Sequence, residues 1–319
     1  MEAQQTNNPE ALKERIRKLE EKYAAMGQDL SSYLDGLLYS EYLTYWDYIN
    51  LDVLLNLQQP RTAFPDEEVF IMYHQITELY FKLCLHEMRQ IREKRGDGAF
   101  MAQRLKRMTA YFESLTKSFS IMIEGMEPEQ FLKFRMALLP ASGFQSAQYR
   151  MIEIQATPLI HLARHDLRGS LLEQKADIPT LYSHIYWNQG ATELATGKKT
   201  LTLRQFESKY GNSFLAMAHK MEGNTLYDMY LDLPDSEKGA ELKESLRTFD
   251  RQVNIDWPLV HYKSAVRYLK KNPEDIKATG GTNWQKYLPP KHQFRIFFPQ
   301  LWTAEEKEHW GIPEKMMGS

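Results

Sequence analysis

The segment from Glu67 to Lys94 constrains the fold more than any other part of the chain. One apolar stripe runs Val69, Tyr73, Ile76, Tyr80, Leu83; a second runs Phe70, His74, Thr77, Phe81, Leu85, Met88. Steps of three and four residues are the period of an α-helix, so the spacing predicts one long helix with apolar residues on two faces. A helix of that kind is expected to be buried on both sides within a bundle, and it takes His74 inside with it. Asp66, directly after Pro65, is placed to cap this helix.

The same period recurs along the chain. Leu12, Ile16, Leu19 and Tyr23 sit among Glu, Lys and Arg, which predicts a solvated amphipathic helix over 9–26. TYWDYINLDVLLNLQ (44–58) is a second, more aromatic segment. Leu105, Met108, Tyr111, Phe112, Leu115, Phe119 and Met122 mark a helix over 100–125, and 241–271 reads as another, with Pro258 expected to kink or break it. Residues 165–215 are weakly patterned, and 165–250 is expected to be an excursion from the main bundle. No stretch sustains the alternation of a strand. The expected class is all-α: a single domain over 1–319, with a helical N-terminal arm over 1–60.

Composition narrows the function. Forty Lys and Arg against 42 Asp and Glu give a net charge of −2, which is no electrostatic footprint for nucleic acid or an anionic membrane. The lone cysteine, Cys84, excludes an intrachain disulfide and a zinc site built on cysteine pairs. The opening MEAQQTNNPEALKERIRKLEEKY has no apolar core for a secretory signal, and no stretch approaches a membrane span. The expected setting is the reducing cytosol.

Several residues are of types that carry chemistry. HLARH places His161 and His165 four apart, yet no third ligand accompanies them, and the bland reading is a surface pair. HEM at 86–88 lacks the second histidine of a zinc hydrolase. His74 and Glu78 are one helical turn apart. Either His74 is a core histidine bonded to a neighbour, or it lines a cavity where a neutral imidazole bonds a substrate N–H. Arg135, between Phe134 and Met136, needs an anionic partner if buried, which is either an internal salt bridge or a substrate carboxylate. TGG at 279–281 fits a plain glycine turn or an anion-binding turn. His261, one turn after Trp257, fits a core residue or the axial ligand of a haem; without a CxxCH motif such a haem is non-covalent. PASGFQSAQYR (140–150) combines the breakers Pro140, Ser142 and Gly143 with the bulky Phe144 and Tyr149, an odd mixture for a surface loop.

These stretches together resemble the tryptophan 2,3-dioxygenase family. The likeness rests on TYWDYINLDVLLNLQ, VFIMYHQITELYFKL, FRMALLPASGFQSAQYR, WPLVH with a following TGGT, and the late FFPQLW, in the family's order from about residue 44 to 302. The resemblance implies a helical haem-binding bundle whose N-terminal helices are exchanged between subunits of a homotetramer. It implies haem b as cofactor, O2 as co-substrate and L-tryptophan as substrate, with cleavage of the indole C2–C3 bond to give N-formyl-L-kynurenine. His261 would be the axial ligand of the iron, and His74 the distal histidine that bonds the indole N–H. Phe70 would pack against the indole, Arg135 and Thr279 would hold the amino-acid end, and Ser142 and Gly143 would lie in the loop over the haem. Tyr45 and Tyr48 would enter the pocket from a neighbouring subunit. Two departures stand out: Ala278 replaces a usual glycine, and the connection from His261 to Thr279 is longer by about four positions. The longer connection keeps open a haem-dependent monooxygenase of another aromatic amino acid.

Overall fold

The computed structural model describes residues 8–138, 145–190, 198–269 and 289–312. Regular structure among them is helical, apart from one isolated bridge between Ala163 and Ile185. Two compact units are present, Met1–Leu57 and Gln58–Ser319. The first unit contains α1 (Pro9–Ala25), α2 (Leu30–Tyr39), α3 (Tyr45–Ile49) and α4 (Leu51–Leu54). The starts of α1 and α2 are capped by side chains: Asn8 accepts from Glu10 N–H and Asp29 from Ser31 and Ser32 N–H, each satisfying a backbone donor that the first turn leaves unpaired.

The second unit is built on α5 (Pro65–Glu93) and α6 (Gly98–Ser118), which pack along each other. Pro65 opens α5 with its φ already set for a helix. Asp66 does not cap it. Its carboxylate accepts from Glu127 N–H at 2.6 Å and ties the start of α5 to the start of α7 (Pro128–Phe134). Glu67, buried, instead accepts from Arg61 and Thr62 N–H and closes the loop before the helix.

The two-faced burial expected for this helix is only half realised. Tyr73, Thr77, Phe81, Cys84 and Met88 are buried, but Met72, Ile76, Leu79 and Leu83 form an apolar stripe that is 40%, 47%, 47% and 42% exposed. Periodicity reports that a face is apolar, not what covers it.

After α8 (Ala147–Ala156) come four short helices: α9 (Leu159–Leu162), α10 (Arg168–Glu173), α11 (Ile178–Ser183) and α12 (Tyr186–Gly190). Then follow α13 (Leu201–Met221), α14 (Leu226–Asp232), α15 (Ala240–Arg251), α16 (Trp257–Leu269), α17 (Pro290–Gln293) and α18 (Ala304–Glu308). The 165–250 stretch, set apart in sequence by its weak patterning, sends Phe206, Phe214, Leu226, Leu246 and Phe249 into the same core as α5 and α6. α13 packs on α8 and α15 on α6. The centre of this core is aromatic: Phe112 lies 5.7 Å from Phe81, 6.2 Å from Phe249 and 6.4 Å from Trp257 between ring centroids, within the range of favourable edge and tilted contacts.

Pro258 neither ends the helix nor simply bends it. The chain passes from α15 through a π-helical turn, Gln252–Asp256, into α16, so the proline is the second residue of α16, directly after that turn. Asp250, fully buried, accepts from Asn254 Nδ2, Phe297 N–H, Phe298 N–H and Trp302 Nε1 at 2.7–3.1 Å, which seats the late RIFFPQLW segment against this turn. Burial, resisted by these four donors, raises its pKa to about 6. No helix of the described residues is long and apolar enough to cross a membrane.

Candidate active site

Two histidines, from α5 and α16, define the site. His74 Nδ1 lies 2.7 Å from Phe70 O, one turn back on α5, and the two rings are 4.1 Å apart. His261 Nδ1 lies 3.2 Å from Trp257 O, one turn back on α16. A carbonyl oxygen only accepts, so in both rings Nδ1 carries the proton and Nε2 presents a lone pair. The neighbour that His74 bonds is therefore Phe70 O. Glu78 takes its hydrogen bond from Gln148 Nε2 at 2.8 Å and acts on His74 only through its charge.

Burial lowers the pKa of His74, and lowers that of His261 to about 4; each backbone hydrogen bond opposes the fall, and His74 adds to the fall at His261. Both imidazoles are neutral at pH 7. Both side chains nevertheless remain partly accessible.

An aromatic series joins the two histidines. His261 lies 4.2 Å from Trp257, in edge geometry, and 4.4 Å from Phe119. Phe119 is 5.6 Å from Tyr73, whose hydroxyl donates to Leu115 O at 3.1 Å, and Tyr73 is the helix neighbour of His74. On the other side, Phe70 lies 6.1 Å from Phe131 and 5.7 Å from Phe134. Phe131 in turn lies 4.5 Å from Tyr268, near the end of α16. Tyr268 donates to Met122 O at 2.6 Å. Phe119, Phe131, Phe134 and Tyr268 were not marked by sequence as site residues. Their spacing is that of any core aromatic, and only the packing of the helices brings Phe119 against His261, Phe131 and Phe134 against Phe70, and Tyr268 against Phe131.

Arg135 begins the short 3-10 turn Arg135–Leu138 that follows α7, and it is 94% buried, its guanidinium pKa lowered by burial. It directly follows Phe134, the ring against which Phe70 packs, so the structure brings Phe70, His74, Arg135 and His261 onto one group of helices. Tyr45 and Tyr48 lie on α3 of the N-terminal unit and are 70% and 73% exposed. Ser142, Gly143 and Thr279, with the neighbouring Ala278, lie outside the described residues.

The chemistry of the donor set decides what metal could be held. No cluster of three or more His, Cys, Asp or Glu side chains suited to a metal occurs among the described residues. His161 and His165 do not share a helical face, since α9 ends at Leu162. His161 is bonded to Thr157 Oγ1 at 2.6 Å and is partly buried, not a surface residue. What remain are the single imidazoles of His74 and His261, and of these His261 packs its ring against Trp257 and Phe119. That suits a metal that brings its own equatorial donors, as a haem does, and a ring nitrogen whose partner N–H is held by a carbonyl is a more basic ligand.

The sequence model of tryptophan 2,3-dioxygenase matches residues 36–158, which include Phe70, His74 and Arg135. A tryptophan 2,3-dioxygenase of Anaeromyxobacter dehalogenans is 32% identical over 278 residues, covering 85% of this chain and 98% of that protein. That of Pseudomonas fluorescens is 30% identical over 275 residues, covering 83% and 91%. Similarity that runs nearly end to end through these relatives places the whole chain, not one segment, in a single family. The chain belongs to the tryptophan 2,3-dioxygenase family.

Proposed function

We propose that the protein is a haem-dependent dioxygenase that opens the indole ring of L-tryptophan between C2 and C3, incorporating both atoms of O2 to give N-formyl-L-kynurenine. The observation that carries this reading is the pair of neutral imidazoles whose Nδ1 atoms are held by carbonyls, leaving Nε2 as a lone pair, linked by a series of aromatic rings in a chain of this family. His261 would hold haem b through its Nε2, and the bound haem would supply ferrous iron able to activate O2. The same neutral state serves His74 differently: its Nε2 is an acceptor for the indole N–H. Phe70, held against His74, offers a flat face to the ring.

Arg135 would clamp the substrate carboxylate, with Thr279 assisting at the amino-acid end. Ser142 and Gly143 would close over the haem edge. Tyr45 and Tyr48 would enter from a neighbouring subunit of a homotetramer whose N-terminal helices are exchanged. The exposed stripe Met72, Ile76, Leu79 and Leu83 supports self-association, because spacings of four, three and four are those of a helix seam. The protein's contribution to rate is then to hold ring and oxygen in reactive geometry and to keep water away. An indole N–H is too weak an acid to be removed at neutral pH, so His74 acts by orientation.

The deciding measurement is the mass of the product formed from L-tryptophan by haem-loaded, reduced protein under labelled dioxygen. Two labelled oxygens in one product are expected, and a single one overturns the reading in favour of a monooxygenase. Arg135→Ala should lower kcat/KM for L-tryptophan about a hundredfold, chiefly through KM, the scale of losing a charge-assisted pair; an unchanged KM removes Arg135 from the substrate. His74→Ala should keep measurable turnover with an intact haem spectrum, whereas complete loss would make His74 an obligatory base. In sedimentation the protein should run as four chains and Leu79→Glu as a smaller assembly; an unaltered tetramer in that variant takes α5 out of the interface.

A further inference from the structure

In the π-helical turn before α16, Trp257 N–H reaches back five residues to Gln252 O. The same spacing would bring the N–H of residue 258 to Val253 O, but residue 258 is a proline and has none. Val253 is fully buried, and a buried carbonyl deprived of its donor must find another. The Tyr149 hydroxyl is that donor, at 3.0 Å from Val253 O.

Tyr149 is held for this task. Its oxygen accepts from Arg295 Nη1 at 3.0 Å, and Arg295 is ion-paired with Glu153, one turn further along α8. Glu153 is completed by Arg150 at 2.9 Å and by the Tyr186 hydroxyl at 2.6 Å. A phenol that accepts from a cation is the better donor for it. The turn so fixed leads directly into Trp257, whose carbonyl takes the Nδ1–H of His261.

We infer that Tyr149 is a positioning residue: its hydroxyl supplies the hydrogen bond that Pro258 removes, and thereby sets the pose of the first turn of α16 and of His261. Its consequence for haem rests on the function proposed above, while the pinning of the turn does not. The bland alternative is that Tyr149 only fills core volume, in which case phenylalanine serves equally.

The test compares Tyr149→Phe, Tyr186→Phe and the double variant Tyr149→Phe/Pro258→Ala. Tyr186→Phe removes a hydroxyl from the same buried cluster without touching Val253. Pro258→Ala returns a backbone N–H to the turn. In the haem-free chain, hydrogen exchange of the 253–261 amides should quicken about tenfold in Tyr149→Phe, the factor carried by one hydrogen bond. It should stay near the parent rate in Tyr186→Phe and return towards it in the double variant. In haem-loaded ferrous protein, the iron–histidine stretching band should shift in Tyr149→Phe and move back in the double variant. Equal exchange in the two tyrosine variants, quickening spread evenly over α5, α8 and α16, or no rescue by Pro258→Ala each overturns the inference. A parent protein without a histidine-ligated spectrum overturns the proposed function instead, and the exchange data still decide the pinning.

Discussion

Each of the two histidines that define the site is oriented by a carbonyl one turn back on its own helix. That bond does three things at once: it fixes the ring, it selects the tautomer, and it turns Nε2 outward as a lone pair. Neutrality completes the effect, because an imidazolium has no lone pair to offer a metal or an indole N–H. Burial supplies the neutrality, lowering both pKa values against the opposing pull of the carbonyls. The rest of the second unit can be understood as what holds α5 and α16 so that one series of aromatic contacts, through Tyr73 and Phe119, links these two rings.

The scaffold around the site shows how this is done with few polar groups. Aromatic rings fill the space between α5, α6, α7 and α16, and much of the buried charge lies in clusters of oppositely charged or hydrogen-bonded groups. Glu153 between Arg150 and Arg295 is one; Asp250 with four donors is another. Such clusters contribute less to net stability than their contacts suggest, since desolvation offsets much of the attraction. Their value is in specifying where the RIFFPQLW segment and the π-helical turn must sit. A core of aromatic packing alone tolerates sliding; directional bonds to named carbonyls do not.

Much of this was legible in the chain. The double stripe on Glu67–Lys94 marked the central helix, His74, Arg135 and His261 could be singled out as residue types that need a reason to be buried, and Phe70 was marked only by the family resemblance. Sequence misjudged the helix start, where Asp66 reaches across to Glu127 instead of capping. It also misjudged the outer stripe, because spacing says nothing of what lies opposite. The walls of the site escaped notice for a related reason: Phe119 and Tyr268 carry no local signal that separates a pocket wall from a core filler.

Local physics therefore settled the elements, since period, caps and the fixed φ of proline act within a few residues. It also settled the two histidine tautomers in principle, because the carbonyl partner lies one turn away on the same helix. Only the tertiary structure decided which partner each buried polar group found. Val253 O is paired with Tyr149, 104 positions away in sequence, and Phe297 and Phe298 N–H with Asp250, 47 and 48 positions away. Those choices depend on which helices lie side by side, and that is set by the burial of the whole core.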